Sequence, residues 1–356
     1  MSTLSPPRST LATPMSSPAA TQQPAPATSL SYGYDKQLML FSGRANPELA
    51  HKIAAKLGVE LGPVTLKTFS NGEVYCRFDA SIRGADVFLI QPTCGNPETG
   101  VSANDALIEL LCMIDAAIGA SAHRVIAVTP WFGYSRQDKK SAPREPISAR
   151  LVARCLEAAG ADRVLTMDLH AGQVQGFFNI PVDHMTALMM LTQYFKDLGL
   201  SDLVVVAPDA GRVKLNKKFA NKLGAELAIL DKERPAQQVA EIGYVIGDVK
   251  DKTAIIVDDM IDTAGTLKAA AQTVLDEGAS RVYAAATHAV LSGNAFENLA
   301  GSHFERIVVT DTIPLRTGAP DNITVLSCAE LLTDSIRRIF TDDSVSEVFG
   351  GENQLF

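Results

Sequence analysis

The sequence predicts an α/β protein made of two similar doubly wound domains with mainly parallel sheets. Two observations carry that prediction. From Gln37 onward, short β-branched runs alternate with longer amphipathic stretches, and the runs are nearly continuous in apolar residues, as strands covered on both faces must be. There are also too many runs for one such domain. The predicted strands are Leu38–Phe41, Asp86–Gln91, Arg124–Thr129, Arg163–Asp168, Leu203–Ala207, Leu227–Asp231, Thr253–Val257, Arg281–Thr287, Arg306–Thr310 and Ile323–Leu326. Between them, Asn46–Leu57, Asn104–Ile118, Ile147–Ala159 and Ala269–Glu277 read as helices. The boundary is expected near His184–Leu191, giving a first domain over 36–184 and a second over 185–339, with 340–356 packing back on the first. Both halves place charged residues where strands end, as in T-M-D-L-H and V-A-P-D-A-G. Ligands of open α/β sheets bind at those ends.

Composition narrows the function classes. A chain of 356 residues, 46% hydrophobic, is long enough for about two domains. Its net charge of -8 and pI near 5.3 argue against a general nucleic-acid or anionic-membrane binder. The five cysteines are scattered and never in C-x-x-C spacing, so they read as reduced cytosolic thiols without a zinc site. The longest apolar stretch, Leu107 to Ala120, is broken by Glu109 and Asp115, which argues against a membrane span.

The first 30 residues differ in kind. Of these, 22 are Ser, Thr, Pro or Ala, and no acid precedes Asp35. Such a segment buries too little apolar surface to offset chain entropy, so residues 1–35 are expected to be a disordered tail. A Ser-rich, acid-poor tail also fits an organelle-import signal, but Arg8 is its only cation. A cytoplasmic protein with a dispensable tail is the expectation; import is the alternative.

Five motifs carry chemistry. The apolar run Ala254-Ile255-Ile256 leads into V-D-D-M-I-D-T-A-G-T, Val257 to Thr266, which reads as a buried strand, a tight turn and a helix start. Unpaired backbone N–H groups at that helix start favour a phosphate beside Thr263, Ala264, Gly265 and Thr266. Asp258 and Asp259, placed just past the strand, suit sugar hydroxyls or hydrated Mg²⁺. An acidic turn with an N-cap threonine would look similar. Neither G-x-x-x-x-G-K-[ST] nor G-x-G-x-x-G occurs, so any ATP must be held without those loops.

In F-S-N-G-E, Phe69 to Glu73, an aromatic and a carboxylate are suited to stack on a base and accept from its amine; a plain hairpin turn reads the same. R-Q-D-K-K concentrates Arg136, Lys139 and Lys140 after the strand V-I-A-V-T-P, as a triphosphate site or a solvated loop. In T-M-D-L-H, Asp168 and His170 are two apart and expected to share one face, a metal or phosphate contact with Pro208-Asp209. Lastly, D-K-E-R-P and the polar stretch after it read as a loose, mobile lid. Its Lys232 and Arg234 are placed to neutralise a transferring phosphoryl group.

In this order, with G-D-V-K-D, T-H-A-V-L-S-G and T-D-T-I-P, the motifs make the chain resemble class I ribose-phosphate diphosphokinases from about Gln37 to Phe349. The V-D-D-M-I-D-T-A-G-T loop alone is shared with type I phosphoribosyltransferases, whose fold the two halves resemble. The resemblance implies transfer of the diphosphoryl group of ATP to the anomeric hydroxyl of ribose 5-phosphate. The products are PRPP, a precursor for nucleotide, histidine and tryptophan biosynthesis, and AMP. It implies Phe69, Asn71 and Glu73 at the adenine of a neighbouring subunit, Arg136 and Gln137 on ATP, and His170 and Asp209 at Mg²⁺, with Asp168 less secure. Lys232 and Arg234 would be catalytic. Arg234, Asp258, Asp262, Thr263, Ala264, Gly265 and Thr266 would hold ribose 5-phosphate. An allosteric site for phosphate, the activator, and ADP, the inhibitor, would use Ser81, Arg83, Arg144, Gln175, Ser344 and Ser346 of a homohexamer. Asn179 stands where many members carry an aspartate. A phosphoribosyltransferase, or a non-catalytic regulatory subunit of the same fold, are the competing readings.

Overall fold

The computed structural model describes residues 36–236 and 239–349, the side chains of 232–243 and 349 excepted. The expected disordered tail, residues 1–35, and the last residues of the returning segment, 350–356, lie outside the described residues. The chain runs β1 (Leu38–Ser42), α1 (Pro47–Leu57), the hairpin β2 (Val64–Thr68) and β3 (Val74–Phe78), β4 (Asp86–Ile90), α2 (Ala103–Gly119), β5 (Arg124–Thr129), α3 (Ser148–Ala159), β6 (Arg163–Met167) and β7 (Val182–Met185). It continues through α4 (Leu188–Asp197), β8 (Leu203–Ala207), α5 (Val213–Leu223), β9 (Glu226–Ala236), β10 (Val239–Ile246), β11 (Thr253–Ile261), α6 (Gly265–Asp276), β12 (Arg281–Ala289), α7 (Ala295–Ala300), β13 (Phe304–Thr310), β14 (Ile323–Leu326) and α8 (Ala329–Thr341).

Two sheets result. The first, ordered β1-β4-β5-β6-β7, is wholly parallel. The second, ordered β10-β9-β8-β11-β12-β13-β14, is parallel apart from the β9–β10 pair. Side chains alternate along each strand, so each sheet feeds two cores. Phe88 and Ile90 of β4 pack with α1, while Val87 and Leu89 pack with Leu110 and Ile114 of α2. In the second sheet, Val205 and Ile255 join the core that already holds Phe88, whereas Val204, Ala254 and Ile256 pack with Ala270 and Val274 of α6. The two sheets therefore share a middle layer, filled by Ile53, Phe195, Phe219, Leu332 and Ile336. Phe195 meets the rings of Phe219 and Tyr283 at 6.1 Å, edge to face. Each such side chain contributes about 1.5–3 kcal/mol on burial.

Polar ties complete that layer. Asn46 caps α1, accepting from the Leu49 N–H at 3.3 Å, and its amide donates to the Asp311 carbonyl at 2.8 Å, beyond β13. The Asp311 carboxylate accepts from the Cys328 N–H at 2.8 Å, fixing the start of α8, and pairs with Lys52 of α1 at 3.2 Å. Asp86, at the head of β4, is buried against Arg124 and His123. Burial opposes its charge, but the hydrogen bonds from those two residues win and hold its carboxyl below the usual range. Asp342, just past α8, is held at about 2 by hydrogen bonds from Lys36 and Arg124.

All ten predicted strands form. Four more escaped notice: β2, β3, β7 and β10. Where its burial is described, the β2–β3 hairpin is half-exposed, so no continuous apolar run marks it. Helices α4, α5, α7 and α8 lie outside the four helical stretches named from the sequence. The segment expected as a loose lid instead has strand backbone: beyond Ile229, where its pairing with β8 ends, β9 pairs only with β10 as a two-stranded arm. No helix among the described residues is long and apolar enough to cross a membrane.

His184 of β7 is buried, accepting from the Leu169 N–H at 2.8 Å with its Nε2, and burial drives its pKa down to about 4. Its neutral form is thus favoured in the folded state. Stability from this group is complete above the ordinary value of 6.5 and is lost as pH falls from there to about 4. A melting temperature measured across that window should fall more for the wild type than for His184→Gln. Separately, Asn46→Ala removes a cap and strands the Asp311 carbonyl, and should cost about 2–3 kcal/mol in urea unfolding.

Candidate functional site

Parallel strands carry the functional residues at their C-terminal ends. Arg136 follows β5, His170 follows β6, Asp209 follows β8, and Asp258 to Thr266 run from the end of β11 into α6. The shared layer sets these ends of the two sheets side by side. A cavity of about 510 Å³ and an adjoining one of about 260 Å³ have Arg136, His170, Asp209, Arg212 and Asp259 in common. The smaller one is also lined by Asp258, Asp262, Thr263, Ala264 and Thr266.

At the centre lies a buried ionic cluster. Asp259 is 4% exposed and pairs with Arg212 at 2.7 Å and with His170 Nδ1 at 2.8 Å. Arg212 also reaches Asp258 at 3.3 Å and donates to the His170 carbonyl at 3.2 Å. Burial opposes ionisation of Asp259, but the His170 hydrogen bond and the Arg212 charge outweigh it and hold the carboxyl at about 2. Its neighbour moves the other way: burial and the adjacent Asp259 charge push Asp258 well above the carboxylate range. His170 Nδ1 lies 2.8 Å from Asp259 and 2.7 Å from Arg212 Nη2; in the tautomer that donates Nδ1–H to Asp259, Nε2 offers its lone pair to the cavity.

The phosphate end is equally defined. Ala264 precedes α6 at φ 60°, ψ 0°, a left-handed conformation that an alanine adopts only under constraint, and no side chain caps the helix. The N–H groups of its first turn are therefore offered to an anion. Asp262 accepts from Arg136 at 2.5 Å and from the Ser292 hydroxyl. The predicted ATP-binding and ribose-phosphate segments are thus brought into direct contact.

Several expectations change. Asp258 and Asp259 are not past the strand: β11 continues to Ile261, pairing with β12 through Asp258–Ala286 and Ile261–Ala289. Asp168 and His170 share no strand face, although both line the larger cavity with Asp209. β6 ends at Met167 and Asp168 turns to φ 33°, which breaks the two-residue alternation. Asp168 then bonds to Ala187 and Thr287, while His170 faces Asp259. Phe69, Asn71 and Glu73 lie in the exposed β2–β3 turn and line neither cavity of the cluster. Gln137 lines a neighbouring cavity with Arg136, Trp131 and Asp262. The side chains of Lys232 and Arg234 lie outside the described residues.

Among the six expected allosteric residues the described contacts are few. Ser344 and Ser346 share a hydroxyl contact at 2.8 Å, and Gln175 meets His184 at 3.1 Å. Among the described residues no hydrogen bond joins Ser81, Arg83 and Arg144 to them or to each other. The sequence reading passed over Arg212, although it directly follows the quoted P-D-A-G. Two adjacent carboxylates in an apolar strand require a buried cation, and that requirement was the available signal.

For Mg²⁺ the donor set is suitable. Among the described residues Asp209 has no hydrogen-bond or ion-pair partner for its carboxylate, and it lines both cavities beside His170. No group of three His, Cys, Asp or Glu among the described residues is arranged to hold a metal by itself. Mg²⁺ is commonly held by one or two carboxylates plus substrate phosphates and water, so such a cage is not required. Arg212→Gln should lower stability by about 3 kcal/mol near neutral pH, because it leaves two carboxylates facing each other. Asp259 contributes stability above its ordinary 3.8 and loses it towards about 2. The deficit of the variant, read by thermal melting, should therefore shrink as pH falls below about 4.

Residues 38–160 match the N-terminal domain of ribose phosphate pyrophosphokinase, and 231–350 match the phosphoribosyl synthetase-associated domain. The ribose-phosphate pyrophosphokinase of Clostridium perfringens is 50% identical over 89% of this chain and 98% of its own length. That of Caldanaerobacter subterraneus is 52% identical over 89% of this chain and 99% of its own. The crystal structure of phosphoribosylpyrophosphate synthetase from Mycobacterium smegmatis superposes with a TM-score of 0.80 at 46% identity, covering 86% of this chain and all of that one. With these matches over most of its length, and the strand ends gathered around one helix start open to an anion, the chain belongs to the ribose-phosphate pyrophosphokinase family.

Proposed function

We propose that the chain performs the reaction of its family by positioning and charge neutralisation, without a nucleophilic side chain. The anomeric hydroxyl of ribose 5-phosphate releases its proton to solvent as its oxygen bonds to the β-phosphorus of ATP. The bond from that phosphorus to the α,β-bridging oxygen breaks, and AMP leaves with the oxygen. Such a transfer asks for in-line alignment and for cations around the equatorial and leaving oxygens. The observation that carries this reading is the contact of Arg136 with Asp262, which sets the ATP side against the ribose-phosphate side.

In this reading the first turn of α6, with Thr263, Ala264, Gly265 and Thr266, holds the 5-phosphate, and Asp258 and Asp262 take sugar hydroxyls. Arg136 and Gln137 hold ATP. His170 and Asp209 are the protein ligands of Mg²⁺, which when bound screens the phosphate charge. Lys232 and Arg234 sit on β9, in the two-stranded arm past Ile229. A two-stranded ribbon is marginal alone and can swing over the strand ends, bringing both cations to the bridging oxygen. Phe69, Asn71 and Glu73 project from an exposed turn away from this chain's own cavities, as suits a contribution to a neighbouring subunit's adenine pocket. That sharing requires at least two subunits, and we take the assembly to be a homohexamer by resemblance to the family, with Ser81, Arg83, Arg144, Gln175, Ser344 and Ser346 forming phosphate and ADP sites. We take 36–184 and 185–339 as the two domains, divided where β7 ends, and the cytoplasm as the location.

Purified chain given Mg²⁺, ATP and ribose 5-phosphate should form AMP and PRPP in equal amounts, faster with inorganic phosphate. Folded protein that binds ribose 5-phosphate yet forms no AMP would instead be a regulatory subunit. Lys232→Ala should cut turnover by about two to three orders of magnitude and leave ribose 5-phosphate binding nearly unchanged. An equal loss of binding would remove the arm from the transition state.

A further inference from the structure

The segment Met167–His170 is tied by hydrogen bonds to several other elements. The Asp168 N–H donates to the Met185 carbonyl at 2.9 Å, and the Leu169 N–H to His184 at 2.8 Å. The carbonyls of Met167 and Asp168 both lie 3.2 Å from Nε2 of His288. Because a carbonyl only accepts, that nitrogen carries the proton, and Nδ1 accepts from the Thr312 hydroxyl at 2.9 Å. His288 is fully buried on β12, in the second sheet. One oxygen of the Asp168 carboxylate accepts twice: from the Ala187 N–H at 2.8 Å, at the start of α4, and from the Thr287 hydroxyl at 2.7 Å, also on β12.

We propose that Asp168 is a positioning residue, joining the end of β6 to Thr287 on β12 and to the start of α4 so that His170 is fixed against the Asp259–Arg212 pair. What this role needs is an acceptor oxygen in a left-handed backbone, not a negative charge. Asparagine supplies both: its carbonyl can take the two donors, and it tolerates positive φ better than most residues. A metal ligand has the opposite requirement, since an amide NH₂ facing the cavity would repel a cation.

The inference rests on the proposed role of His170, and the experiment separates the two. Wild-type, Asp168→Asn, Asp168→Ala, Thr287→Val and Thr287→Ser chains are assayed for AMP formation while Mg²⁺ and ribose 5-phosphate are each titrated, alongside melting temperatures. Asp168→Asn and Thr287→Ser should keep kcat within about threefold and leave Mg²⁺ half-saturation unchanged. Asp168→Ala and Thr287→Val should each lose about 10- to 100-fold in kcat, the size expected for a displaced active-site group, with KM for ribose 5-phosphate within about twofold. The double variant should be no worse than Asp168→Ala. If Asp168→Ala does not fold, the Thr287 pair carries the comparison alone. A fall of over 100-fold in Asp168→Asn with a raised Mg²⁺ requirement would make Asp168 a ligand and overturn the inference, as would Thr287→Val that melts lower at unchanged kcat. A wild-type chain that forms no AMP would defeat the functional reading itself.

Discussion

The arrangement of this site depends on a single buried ion pair, Arg212 with Asp259. Asp259 sits within β11, in a strand that is otherwise almost wholly apolar and closed over on both faces. An isolated carboxylate there would be costly by several kcal/mol and would take up a proton. Arg212, in the short turn after β8, removes that cost, and the same guanidinium reaches Asp258 and the His170 carbonyl. Three strand ends from two sheets are therefore tied through one cation. Geometry at a phosphoryl-transfer site has to hold within fractions of an ångström, and a charge cluster in a low-dielectric wall resists displacement.

Around that pair, local strain and sheet packing divide the remaining work. Ala264 and Asp168 both adopt positive φ, and both stand where a strand end must turn sharply to present a neighbour. Ala264 opens the first turn of α6 to an anion; Asp168 releases His170 from the strand's alternation. The strain is held by what encloses them: β11 and α6 on one side, and the contacts to β12 and α4 on the other. The shared helical layer supplies the rigidity, because α1, α4, α5 and α8 fill one continuous core with strands of both sheets. The Asn46–Asp311 and Lys52–Asp311 contacts pin that layer at the polar edge.

Much of this was legible in the sequence, where each signal was local. The near-continuous apolar runs gave all ten predicted strands and the parallel α/β class, since strands buried on both faces must be apolar throughout. V-D-D-M-I-D-T-A-G-T marked the turn from β11 into α6, whose start no side chain caps, an arrangement that suits an anion. Where periodicity was weak, the reading lost the elements: β2 and β3 are half-exposed, and their side chains carry no continuous run. It also placed the end of β11 too early, as aspartates are poor strand residues and only pairing with β12 keeps them extended.

By itself, then, the sequence determined the fold class, the order of the motifs and the chemical class of the site, all of which depend on residue type and near-neighbour spacing. The tertiary structure alone decided which side chains meet. Arg212 and Asp259 are far apart in the chain, as are Asp168 and Thr287, and Arg136 and Asp262. Such pairs are set by how two sheets register across a common core, and that register is a property of packing many apolar surfaces together. No short stretch of sequence encodes it.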